Sequence, residues 1–111
     1  MNKKSDFFDS EHTLKILKEL ESNPQITQRH LAQKMEISLG MINFLIKALL
    51  KKGVIEAKNF KNSKNKLAYT YLLTSQGIKI KLDLTRKFFI WKTQEYEKLK
   101  LEIEDLKREL L

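Results

Sequence analysis

The chain has 111 residues, room for one hydrophobic core and an appendage but not for two full domains. Hydrophobic residues make up 41% and charged residues 32%, with three glycines, one proline and no cysteine, which excludes a disordered chain, a disulfide framework and the commonest structural zinc sites. The net charge is +8, and residues 23–73 alone hold nine basic against two acidic side chains, the concentration that phosphate backbones attract.

A lysine-rich solvated surface would give the same count, so the reading depends on where the charges fall along the predicted elements. Apolar stretches such as 88–91 fall far short of the roughly 20 residues of a membrane span. The opening MNKKSDFFDS lacks the apolar core of a secretion signal. A cytoplasmic protein with no membrane partner is expected.

Residues 1–9 read as an N-terminal arm. A first helix is predicted from about Ser10 to Ser22, where Leu14, Leu17 and Leu20 share a face and Asn23-Pro24 ends it. Three further helix starts repeat one local pattern, a hydroxyl cap between two apolar residues that clamp the chain's entry: Ile26-Thr27 with Leu31, Ile37-Ser38 with Ile42, and Leu73-Thr74 with Ile78. The second helix therefore runs from about Gln28 to Met35. The third runs from Leu39 to Lys52, with a buried stripe of Ile42, Leu45, Ile46 and Leu49, and Gly53 supplies a left-handed stop. Val54 to Phe60 and Leu67 to Leu73 are rich in β-branched and aromatic residues and flank a basic tip, the pattern of a β-hairpin. From Ser75 onward one long helix is the simplest reading, with a kink near Leu84-Thr85 as a variant. The expected fold is mainly α with a small β-hairpin: a winged helix-turn-helix over residues 10–77, then a C-terminal dimerisation helix, a coiled coil, over 78–111.

Two helices joined by a short turn, the second polar on its outer face, form the arrangement that sets a helix into the major groove of double-stranded DNA. The third helix would then present Ser38, Leu39, Gly40, Met41, Asn43, Phe44 and Lys47. Asn43 suits an adenine edge, Met41 or Phe44 a thymine methyl, and Lys47 guanine or phosphate, while Gly40 permits close approach to the groove wall. Thr27, Gln28 and Arg29 lie where free N–H groups and the helix dipole attract a phosphate. Lys61, Asn62, Lys64, Asn65 and Lys66 at the hairpin tip suit the backbone or a minor groove, although lysines there also guard a sheet edge against aggregation.

Enzyme readings find no support. His12 and His30 lack metal-ligand spacing, there is no glycine-rich phosphate loop or nucleophile elbow, and the carboxylates gather on the last helix at ion-pair spacing. No catalytic residue, metal or cofactor is expected.

On the last helix Phe89, Lys92, Tyr96, Leu99, Ile103, Leu106 and Leu110 alternate at steps of three and four, a heptad seam. With Tyr96, Ile103 and Leu110 at a, glutamates 95, 102 and 109 fall at g and lysines 100 and 107 at e. A parallel homodimer pairs them across the seam, whereas an antiparallel one sets like charges together. The other reading is that the helix folds back on its own domain, with Phe88, Ile90 and Trp91 doing so.

Asn23-Pro24, Gln28-Arg29-His30-Leu31-Ala32, Ile37-Ser38-Leu39-Gly40, Lys51-Lys52-Gly53-Val54 and Leu73-Thr74-Ser75-Gln76-Gly77 together resemble the MarR-type winged-helix transcriptional regulators. Asn59-Phe60, Ser63, Asn65-Lys66, Tyr71-Leu72-Leu73-Thr74 and Glu95-Tyr96-Glu97 extend the resemblance, within that family, to its small branch associated with bacterial exopolysaccharide gene clusters. The resemblance implies a dimeric bacterial regulator of polysaccharide-synthesis genes, nucleoid-associated when bound to its operator. Lys61-Asn62-Ser63-Lys64 stands where the family's wing commonly carries Asp-x-Arg. The operator sequence, the direction of regulation and any small-molecule effector are not legible. The alternative function is a winged-helix protein-interaction module docking a partner through Phe44, Phe60 and the hairpin tyrosines.

Overall fold

A computed structural model describes residues 10–61, 64 and 67–111. Helices α1 (Glu11–Ser22), α2 (Gln28–Met35) and α3 (Leu39–Lys51) are followed by strands β1 (Ile55–Lys61) and β2 (Leu67–Leu73) and by helix α4 (Ser75–Leu110). The strands pair antiparallel from Ile55↔Leu73 to Lys61↔Leu67. On its other edge β2 bonds the loop before α2, where Tyr71 N–H donates to the Pro24 carbonyl at 2.9 Å.

Each helix begins on a hydroxyl that accepts a backbone N–H three residues on: Ser10 from Thr13, Thr27 from His30, Ser38 from Met41 and Thr74 from Gly77. Such caps satisfy donors that the first turn leaves unpaired, each contributing about 1 kcal/mol. The core joins Ile16, Leu17 and Leu20 of α1, Ile26, Leu31 of α2, Ile42, Leu45, Ile46 and Leu49 of α3, Val54, Ile55, Tyr71, and Leu84 of α4. Of the three apolar clamps, Ile26 with Leu31 and Ile42 are buried, whereas Ile78 is 56% exposed and Leu73 only half-buried.

Glycine 77 explains why the Leu73-Thr74-Ser75-Gln76-Gly77 run has its form. Thr74 N–H donates to the Val54 carbonyl at 3.1 Å and its Oγ1 to the Gly53 carbonyl at 2.5 Å, which brings the first turn of α4 onto backbone at the head of β1. A Cβ on Gly77 would stand 2.0 Å from the Val54 oxygen, so only glycine fits. Gly53 has φ +73 and ends α3 as expected.

Helix α4 is unbroken through Leu84-Thr85 and, at about 1.5 Å per residue, spans roughly 54 Å. Its first half turns Gly77, Ile80, Leu84 and Phe88 toward the body. Lys81 pairs with Glu21, and Lys92 pairs with Glu11 at 3.1 Å while lying 4.8 Å above the Trp91 ring. Phe88 does fold inward, edge-on to Trp91, but Ile90 and Trp91 are exposed, as is every residue from 89 to 111. The expectation that Ile90 and Trp91 turn inward is therefore corrected. A step of about 100° per residue carries Ile90 to the side away from Phe88 and leaves Trp91 on the rim of the contact. Among the described residues no helix is long and apolar enough to cross a membrane.

Candidate nucleic-acid interface

The turn between α2 and α3 takes three residues, Glu36 to Ser38. Glu36 adopts a left-handed conformation (φ 57, ψ 39), and its N–H bonds back to the Ala32 and Gln33 carbonyls. A side chain there costs about 1 kcal/mol relative to glycine, which the closed turn and the buried Ile42 beyond it offset. The turn fixes the direction of α3, and the fully buried stripe Ile42, Leu45, Ile46 and Leu49 fixes its rotation.

With that stripe inward, Ser38, Leu39, Gly40, Met41, Phe44 and Lys47 all stand in solvent. Phe44 is 60% exposed, a large apolar ring left mostly in solvent. A Cβ added at Gly40 would have no neighbour nearer than Ser38 Oγ at 3.9 Å, so the fold itself gives no reason for a glycine. Asn43 differs from the rest. It is half-buried, and its Nδ2 donates to Gln28 Oε1 at 3.1 Å.

At the head of α2 Thr27 and Arg29 are exposed, as expected of groups meant for a phosphate. Gln28 is placed otherwise: its side chain is half-buried, accepts from Asn43, and donates through Nε2 to Tyr71 Oη at 3.1 Å. Only its backbone N–H retains the position read from the sequence. On the wing Lys61 and Lys64 are exposed, while Asn62, Asn65 and Lys66 lie outside the described residues.

Tyr69 also belongs to this surface, although the DNA contacts read from the sequence omit it. It stacks on Tyr71 with ring centroids 6.0 Å apart and is 57% exposed, whereas Tyr71 is 5% exposed. The two residues are two apart on β2 and so share a strand face, a signal present in the Tyr-x-Tyr spacing. The bonds Asn43–Gln28–Tyr71 thus tie the outer side of α3, the head of α2 and the wing into one continuous face.

A second exposed surface runs along α4. Phe89, Lys92, Tyr96, Leu99, Ile103, Leu106 and Leu110 are all exposed, and shallow grooves flank Tyr96, Leu99 and Ile103. The row also begins earlier than the sequence pattern indicates, because Ile78, Leu82 and Thr85 continue the same steps and are exposed too. At 100° per residue its first part, Ile78 to Phe89, lies roughly 110° round the helix from Gly77, Leu84 and Phe88. Among the described residues no group of three or more His, Cys, Asp or Glu is placed to hold a metal ion.

A winged helix-turn-helix DNA-binding model matches residues 9–56. No curated protein sequence matches the chain. Among solved structures, a candidate transcriptional regulator from Thermoplasma acidophilum superposes with a TM-score of 0.64 at 24% identity, over 80% of this chain and 90% of the other. The adhesin competence repressor AdcR from Streptococcus pyogenes gives 0.64 at 22% identity, over 86% and 74%. AdcR is a zinc-dependent MarR-family regulator. A variant of S. aureus MepR bound to an oligodeoxyribonucleotide gives 0.57 at 18% identity, over 92% and 80%. The fold is therefore a winged helix-turn-helix followed by a long C-terminal helix.

Proposed function

We propose that this chain is a non-catalytic, sequence-specific DNA-binding transcriptional regulator that works as a homodimer in the cytoplasm of a bacterium. The observation that carries the reading is the outer side of α3, where Leu39, Met41, Phe44 and Lys47 are exposed opposite a fully buried stripe, beside a wing with exposed Lys61 and Lys64. The same fold bound to an oligodeoxyribonucleotide in a MepR variant supports it. In this reading α3 enters the major groove, Thr27, Arg29 and the Gln28 N–H hold a phosphate, and the wing grips the adjoining backbone. Gly40, which the fold does not require, lets α3 lie close to the groove wall. The seam of α4 joins two copies so that two half-sites are read together. Control of exopolysaccharide-synthesis genes is the finer part of the proposal, supported by the family resemblance of the motifs.

Sequencing the DNA that co-purifies with the chain from its own cells tests both levels. Enrichment of one short, twofold-symmetric motif upstream of polysaccharide-synthesis genes is expected. The same motif elsewhere removes the finer part, and no enriched motif overturns the reading in favour of a protein-docking module.

Base contacts and phosphate contacts should separate on mutation. Asn43→Ala is expected to lower the ratio of specific to random-sequence affinity by roughly one to two powers of ten, about 1–3 kcal/mol for a good base contact. Lys64→Ala should weaken binding to all duplexes alike and reduce the slope of log affinity against log salt by about one. Competition binding across a salt series reads both. Equal losses of Asn43→Ala on specific and random duplexes would remove Asn43 from base reading.

A further inference from the structure

We infer that Gln28 and Tyr71 are positioning residues that hold the Asn43 side chain in place to read adenine. The inference rests on the DNA-binding reading above and adds the machinery of its specificity.

An asparagine amide pairs with adenine through N7 and the N6–H together only when its side chain stands within reach of both, and an unsupported side chain samples several rotamers. Here Asn43 Nδ2 gives one of its two hydrogens to Gln28 Oε1, which leaves the second N–H and Oδ1 for an outside partner. Gln28 is held in turn by the far end of the chain of bonds, where its Nε2 donates to Tyr71 Oη. Tyr71 is itself fixed: its ring is 5% exposed and stacked on Tyr69, and its N–H is bonded to the Pro24 carbonyl at 2.9 Å. A buried tyrosine on the wing therefore anchors two amides in series, and the last of them stands on the outer side of α3. Such a series is stronger than its separate bonds, because each member orients the next. The loss of the tyrosine hydroxyl alone would release Gln28, and Asn43 with it, to other rotamers, with no change in the ring packing.

The test uses the full-length chain and a pool of duplexes with a randomised central segment. The wild type, Asn43→Ala, Tyr71→Phe and the double variant are each carried through selection, and binding to the wild-type motif and its single-base variants is then measured. Tyr71→Phe keeps the stacked ring, so the fold and the salt slope should match the wild type. The preference for adenine at the position that Asn43→Ala erases should fall about three- to tenfold, a fraction of what deletion of the amide itself removes. In the double variant Tyr71→Phe should cost nothing further at that position, because its effect passes through Asn43. Gln28→Ala should reproduce the Tyr71→Phe pattern. A purely structural role would instead lower affinity for every sequence and add to Asn43→Ala. The inference is overturned if Tyr71→Phe keeps the full adenine preference or if its effect adds to that of Asn43→Ala, outcomes that leave DNA binding intact. A wild type that enriches no motif overturns the DNA-binding reading and this inference with it.

Discussion

A chain ending at Lys92 is expected to sediment as a monomer and to bind its operator about 10²-fold or more weakly than the full chain, because two half-sites are no longer engaged as one. The truncation leaves the body whole, since Leu84, Phe88 and the Lys92–Glu11 pair are retained. What it removes is a helix with no burial of its own. Residues 93–110 are exposed on every side, and a free helix of that length is marginal in water. The remedy is written along it: Tyr96, Leu99, Ile103, Leu106 and Leu110 form a row, and each apolar side chain buried there contributes about 1–2 kcal/mol per copy. β-Branched Ile103 at a with leucine at d suits two strands. In a parallel pair Glu95 faces Lys100 and Glu102 faces Lys107 of the second copy, while an antiparallel pair over the same heptads sets glutamate to glutamate and lysine to lysine. The pairs are worth only a few tenths of a kcal/mol each, but the difference between attraction and repulsion sets the orientation. Ile103→Glu with Leu106→Glu in the full chain should act as the truncation does. Dimers that persist in either variant at micromolar concentration would place the interface in the body or in the aromatic cluster around Trp91.

Gly77→Ala should be the most destabilising single-methyl change in the chain, by about 2–4 kcal/mol, read as a fall in thermal midpoint of roughly 10–20 °C. The added carbon would meet the Val54 carbonyl oxygen at 2.0 Å, and that oxygen is backbone held by the Thr74 N–H, so neither side can yield cheaply. Gly40→Ala is the control. With only Ser38 Oγ nearby at 3.9 Å, it should leave stability unchanged or raise it by up to about 1 kcal/mol, since alanine favours a helix. Its cost should appear in DNA affinity alone. A midpoint for Gly77→Ala within a few degrees of the native chain would mean that the contact between α4 and the head of β1 is looser than described.

Local chemistry was the legible part of the fold. Ser10, Thr27, Ser38 and Thr74 announce helix starts because a hydroxyl acts within its own turn, and the α3 stripe is legible because a helix repeats every 3.6 residues. The strands also fell close to expectation, with β1 displaced by one residue because Val54 is taken up in binding Thr74. What was not legible depends on packing between distant residues. No local rule links Gln28 with Asn43, fifteen positions on, or with Tyr71, forty-three on. The left-handed Glu36 was hidden because the sequence offers no glycine to mark it. The sequence pattern starts the seam at Phe89, with Ile78 read as the apolar clamp of the helix start. The exposure of Ile78 and Leu82 becomes visible only once Gly77, Leu84 and Phe88 fix which side of α4 faces inward.

The most direct test of sequence-specific recognition is equilibrium binding of the full-length chain to its selected duplex and to a scrambled duplex of the same length and composition, across a salt series. The expected result is an affinity for the selected duplex at least about 10³-fold higher, with log affinity falling linearly against log salt for both. Equal affinities for the two duplexes at every salt concentration would contradict sequence-specific recognition.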